Sequence, residues 1–255
     1  MRVLVATAVL VERDAVAAAF APSTAREYAI PGAALSRVAR PPCGPVVFDL
    51  LAAGVGPAAA AASTAAALTA AALDEHTDEP ADAQTPGPYD LVVSAGVGGG
   101  FQPEAPVGSL VLADEITAAD LGAETADGFV PVTELGFGAV THRPPESLVR
   151  AVAAATGART GAVLTVNTVT GSAARAAELR RRHPRALAEA MEGFGVAEAA
   201  AAHGVPVLEL RAVSNPVGPR DRAAWRIGDA LAALTGAFGK LAPALESWNP
   251  HDHTR

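Results

Sequence analysis

The chain has 255 residues, 50% of them hydrophobic, enough for one sizeable core in an α/β domain of ordinary length. A formal charge of −8 excludes general binding to phosphate backbones, which needs clustered Lys and Arg, and the single Cys43 excludes an internal disulfide framework. No stretch nears the roughly 20 strongly apolar residues that span a bilayer, and Glu12, Arg13 and Asp14 interrupt the chain where a signal peptide would still be apolar; a cytoplasmic protein with no membrane or nucleic-acid partner is expected.

In chain order, strand-length runs rich in Val and Leu fall at 2–6, 46–53, 90–94, 109–112, 159–166 and 205–213. Helix-length stretches fall between or after them at 12–20, 57–73, 145–156, 172–182, 193–203 and 222–238. Gly54, Gly56-Pro57, Gly171, Gly204 and Pro206 mark the joints. This alternation predicts an α/β domain around a central sheet. Residues 1–242 are expected to form a single domain, with 74–88 as an acidic loop insertion and 243–255 as a polar tail. Residues 118–145, with Gly122, Gly128, Gly136 and Gly138, read as a long loop beside the site. His76, His142, His183 and His203 are isolated and His251 and His253 fall in the tail, so no metal site is expected.

Two glycine-rich segments follow strands. Gly54-Val55-Gly56-Pro57-Ala58-Ala59 comes close to a dinucleotide-binding turn. The acid required about 20 residues on should end the next strand, whereas Asp74 and Glu75 fall in the acidic loop, so no nicotinamide or other cofactor is expected. Gly96-Val97-Gly98-Gly99-Gly100-Phe101 reads as a turn, either purely structural or laid against a ligand, with glycines free to take positive φ. No Lys-Ser/Thr follows it, which excludes a triphosphate-cradling loop.

The order of four segments carries a resemblance. Leu51-Ala52-Ala53-Gly54-Val55-Gly56-Pro57 comes first, then Ser94 through Phe101 with Val107-Gly108-Ser109-Leu110-Val111-Leu112-Ala113-Asp114-Glu115. Ala190-Met191-Glu192-Gly193 and Leu210-Arg211-Ala212-Val213-Ser214-Asn215 follow. Over residues 1–73 and 89–240 the chain resembles the methylthioadenosine/S-adenosylhomocysteine nucleosidases and their relatives in the nucleoside phosphorylase/nucleosidase superfamily. The resemblance implies a three-layer phosphorylase/hydrolase-like α/β fold whose central mixed, partly barrel-like sheet is flanked by helices. It also implies a homo-oligomer, dimer or higher, that acts on a purine nucleoside with water.

Cleaving a purine glycosidic bond requires positive charge on the ribose, electron acceptance by the purine and an activated water. Glu12 matches the acid that these nucleosidases place near the attacking water, although alone it also reads as a charge in a helix's first turn. Glu192 resembles the carboxylate that accepts from the ribose hydroxyls, with Met191 against the sugar; alone, the pair also reads as a solvated helix acid beside a core methionine. Val97, Gly98, Val169, Thr170 and Ser214 align with positions around the substrate. Val97 replaces a common Ser, and Val169 and Thr170 replace an aromatic-apolar pair that covers the purine, a role left to Phe194 or Phe101.

Asn215 stands where adenine-specific relatives have Asp. An amide cannot act as a general acid at neutral pH, but its NH2 can donate to O6 or N7 of a 6-oxopurine. Ser214-Asn215-Pro216-Val217-Gly218-Pro219-Arg220-Asp221 resembles the segment of the family that hydrolyses futalosine, although it is also good turn sequence. That family's reaction releases hypoxanthine and dehypoxanthine futalosine in menaquinone biosynthesis. Its substrate carries an aromatic carboxylate on the 5′ side, for which His142, Arg143 and Arg220 are candidates. A 6-oxopurine nucleoside phosphorylase stays open as an alternative through Arg13 and Arg26, as do another purine nucleosidase and a non-catalytic nucleoside-binding protein.

Overall fold

The computed structural model describes residues 1–22, 25–39, 46–74 and 87–248. Cys43, His76, most of the acidic insertion at 74–88 and the tail histidines His251 and His253 lie outside the described residues.

All six residues of β1 (Arg2–Thr7) are buried, because both of its faces are covered. Val3 and Val5 join one core cluster with Phe48, Leu112, Leu148, Leu234 and Phe238. Leu4 and Ala6, pointing the opposite way, join a second with Leu51, Leu68, Val92 and Val196. Helices α1 (Leu10–Ala18), α3 (Glu146–Thr156) and α6 (Ile227–Glu246) cover the first face, and α2 (Pro57–Asp74) and α5 (Gly193–Ala202) the second. Three layers result.

Strand β1 pairs in parallel with β4 (Val47–Ala52) on one side and β5 (Leu91–Gly100) on the other. The hairpin of β2 (Arg26–Ile30) and β3 (Ala33–Ala39) extends the β4 edge, turning at Gly32 with φ of 77°. Beyond β5 the sheet closes on itself. Strand β12 (Val207–Pro216) pairs in parallel with β5 and antiparallel with β6 (Leu110–Ala118). Strand β10 (Arg159–Thr165) joins β6, and β11 (Ala186–Ala190) joins β10. Pairs Ala188↔Gly100 and Glu189↔Gly99 return β11 to β5, completing a five-strand ring within the mixed sheet. The remaining helix, α4 (Ala173–Arg182), lies between β10 and β11 in the chain.

Three expectations need correction. The glycine-rich segment 96–100 is not a turn: it continues β5, and none of its glycines has positive φ. Its glycines serve close approach, since a Cβ at Gly100 would lie 2.1 Å from the Ala105 carbonyl oxygen. Residues 118–145 are not one loop; they hold the hairpin β7 (Gly122–Thr125) and β8 (Gly128–Pro131) and the short β9 (Thr141–His142), which pairs with β6. The tail does not begin at 243, because α6 continues through Pro243 to Glu246 and buries Leu245 against the core. Among the described residues no helix is long and apolar enough to cross a membrane.

Candidate active site

The site forms where β1, β5, β11 and β12 deliver their carboxyl ends beside the starts of α1 and α5. Chain leaving β1 enters α1 within three residues, which puts Glu12 in the helix's first turn. Glu12 is buried rather than solvated. Its Oε2 accepts from the backbone N–H groups of Ala8 (3.0 Å) and Val9 (3.3 Å), and its Oε1 accepts from Val97 N–H (2.9 Å). Val97 therefore fixes the acid through its backbone, which a missing hydroxyl does not impair. Room for the carboxylate comes from Gly96, where a Cβ would sit 2.7 Å from Glu12 Oε1 and 2.9 Å from Arg211 Nη1. Gly96→Ala is accordingly expected to lower kcat roughly a hundredfold by displacing the acid. Kinetics on a variant verified as folded check this, and an unchanged kcat would count against the placement.

Glu192 sits at the N-cap position of α5 and is also buried. Its Oε1 accepts from Gly56 N–H (3.3 Å), and its Oε2 from Met191 N–H (3.3 Å) and Arg211 Nη1 (3.4 Å). Gly56 can turn its amide there because it holds a φ of 90°, a region that side chains disfavour. Arg211 is fully buried behind the two acids and also donates from Nη2 to Ser94 Oγ (2.9 Å) and from Nε to Glu209 Oε1 (2.9 Å). Burial alone would lower its pKa, but the charges of Glu209, Glu192 and Glu12 outweigh burial and hold the guanidinium above its ordinary range.

A register shift between Val213 and Asn215 in the β12–β5 pairing bulges the strand. Such a bulge re-aims side chains, and Asn215 faces the cavity beside Gly98 and Gly99. Its Oδ1 accepts from the Ser214 hydroxyl (2.8 Å) and its Nδ2 donates to the Pro216 carbonyl (3.0 Å), leaving one amide hydrogen for a ligand. Glu189 flanks Gly99 from the opposite strand. It accepts from Thr170 N–H (2.7 Å) and from the Thr170 hydroxyl, fixing the segment that carries Val169. Burial raises the Glu189 carboxyl, and the two bonds from Thr170 only partly offset this.

Known proteins with this chemistry are similar in sequence and in shape. A model of the phosphorylase superfamily matches residues 44–244. A futalosine hydrolase of Streptomyces coelicolor is 74% identical over 252 residues, covering 99% of this chain and 100% of that relative. The chain belongs to the futalosine hydrolase family of the phosphorylase superfamily. A solved structure of a Helicobacter pylori futalosine hydrolase mutant matches with a TM-score of 0.76 at 16% identity, over 95% of this chain and 99% of that one. A methylthioadenosine/S-adenosylhomocysteine nucleosidase of Neisseria meningitidis, solved with methylthio-immucillin-A, matches with a TM-score of 0.73 at 19% identity, over 94% and 98%. These two share the fold.

In this futalosine hydrolase family member, Glu12, Val97, Gly98, Val169, Thr170, Met191, Glu192, Ser214 and Asn215 all line one cavity of about 280 Å³. Of the candidates for a 5′ pocket, Arg220 lines it, whereas His142 bonds Glu198 and Arg143 bonds Glu115 outside it. Neither Phe101 nor Phe194 covers the cavity. Phe101 is buried in a separate cluster, and Phe194 packs on His142; Trp225 and Ile227 line the cavity instead. Trp225, Glu189 and Arg211 are the residues that sequence reasoning missed. Among the described residues no group of three His, Cys, Asp or Glu side chains is placed to hold a metal ion.

Proposed function

We propose that this protein hydrolyses the N-glycosidic bond of futalosine, releasing hypoxanthine and leaving dehypoxanthine futalosine, as a cytoplasmic step of menaquinone biosynthesis. The observation that carries the reading is one cavity lined by two buried carboxylates, Glu12 and Glu192, and by an amide, Asn215. Oε1 of Glu12 keeps a lone pair beyond its bond to Val97 and can take a proton from water as it attacks. Glu192 accepts from the ribose hydroxyls, and the two negative charges favour the cation that develops on the sugar. The free Asn215 hydrogen donates to O6 or N7 of the departing 6-oxopurine, where an ionised carboxylate would meet a lone pair.

Water rather than phosphate is the nucleophile in this reading. A phosphate dianion needs converging cations, yet Arg220 is the only arginine among the described lining residues. Arg13 pairs with Asp14 and Glu27 instead. The proposal further takes the enzyme to be a homo-oligomer that uses no cofactor or metal and binds neither nucleic acid nor membrane.

Product analysis in phosphate-free buffer tests it, with futalosine, inosine and methylthioadenosine offered separately. Hypoxanthine from futalosine is the expected result. Adenine from methylthioadenosine, or base release only after phosphate is added, would overturn the assignment.

A further inference from the structure

The register of β12 sets Glu209 and Arg211 two residues apart on one face of the strand, opposite Ser94 and Gly96 of β5. Glu209 is wholly buried and lines no part of the cavity. Its Oε1 accepts from Arg211 Nε at 2.9 Å, while its Oε2 has no hydrogen-bond partner among the described residues. That second oxygen lies against the start of α5, where a Cβ at Gly193 would sit 2.1 Å from it and would have to displace the carboxylate. Gly193 directly follows Glu192. Glu209 thus braces two things at once, the helix start that presents Glu192 and the guanidinium that touches Glu192.

A carboxyl in this setting is costly. Burial raises its pKa against the pull of Arg211, and a leucine of similar volume would fill the space without that desolvation cost. What leucine cannot do is hold Arg211 in place. We propose that Glu209 is a positioning residue for hydrolysis, acting through Arg211 on Glu192 and Glu12. This rests on the hydrolase reading above.

Without Glu209 the guanidinium keeps Ser94 and Glu192, and the two cavity carboxylates alone balance its charge. It then closes on Glu192, and the tighter pairing weakens the field that favours a sugar cation. That field acts on the transition state more than on bound substrate, so the loss falls on kcat rather than KM.

The test compares Glu209→Leu, Glu209→Gln and Arg211→Lys, singly and combined, in the full chain, with steady-state kinetics and thermal unfolding. Glu209→Leu leaves the buried Arg211 Nε–H without its acceptor, so its Tm is expected to fall, and the folded variant is expected to lose roughly a hundredfold in kcat with KM within about threefold. Glu209→Gln keeps an acceptor for Nε–H and is expected to lose only about tenfold. In the Arg211→Lys background neither change should cost anything further. Folded Glu209 variants with wild-type kcat and KM, or with the same loss in both backgrounds, would overturn the proposal. Should Glu209→Leu not fold, Glu209→Gln measured in the two backgrounds decides by the same criterion. A wild-type protein that releases no base sinks the hydrolase reading and this proposal with it, whereas an active wild type with indifferent variants sinks the role of Glu209 alone.

Discussion

Glu12→Gln is expected to lower kcat about a thousandfold while leaving substrate affinity within a few-fold of the wild type. The reason lies in how the acid is held. Three backbone N–H groups converge on its two oxygens, one on Oε1 and two on Oε2. Whichever way the glutamine amide is turned, its NH2 faces a backbone donor, so one bond is lost with the NH2 at the Oε1 position and two with it at the Oε2 position. That loss costs about 1–3 kcal/mol of stability, the usual penalty for a buried group left unsatisfied. The larger effect is chemical, since an amide neither accepts the proton of the attacking water nor favours a neighbouring sugar cation. Because Glu12 sits on the water side of the cavity in this reading, ground-state binding through Glu192 and Asn215 persists. Single-turnover base release and ligand binding, measured on the same preparation, separate the two effects. A folded variant with kcat within tenfold of the wild type would remove Glu12 from the mechanism.

The parts of the site legible in the sequence were those that motif order places one by one. Glu12 opens a helix, Met191-Glu192 joins a strand to a helix, Ser214-Asn215 lies at the end of a strand, and all reach the same cavity. The strands behind them were less legible. Strand β11 reads Ala186-Leu187-Ala188-Glu189-Ala190, a composition that favours helix by local propensity. Its strand state comes from closing the ring between β10 and β5, a tertiary fact with no local signature. The extended form of 96–100 was hidden for a related reason. Glycines usually announce a turn, and here they answer to neighbours far away in the chain, such as Glu12 against Gly96 and Val213 against Gly100. Arg211 and Glu209 did leave a signal. Two opposite charges spaced by two residues inside the run 205–213 must share one face of a strand that is otherwise wholly apolar, which points to a buried pair. Trp225 had no such cue, because its place in the cavity depends on a turn and a single 3-10 turn, Arg222–Ala224, after the bulge at Asn215.

Asn215→Asp is expected to move base preference from 6-oxopurine towards 6-aminopurine, changing the ratio of kcat/KM for the two by about a hundredfold to ten-thousandfold. The surroundings of this side chain argue for the direction. Oδ1 already takes the Ser214 hydroxyl, so an aspartate's second oxygen would stand where Nδ2 now donates to the Pro216 carbonyl. Two acceptors facing each other favour the protonated acid. Ionised, such a residue repels O6 of hypoxanthine and accepts from the 6-amino group of adenine. Protonated, it can hand a proton to N7, the general-acid step that an amide cannot perform. The ionised form favours adenine nucleosides, and the protonated form adds a route for the leaving group of either base. Competition between inosine and adenosine, followed by the two bases released, reads the ratio directly without depending on the 5′ substituent. A variant that loses activity on both nucleosides in equal proportion would show that Asn215 supports the strand end rather than reading the base.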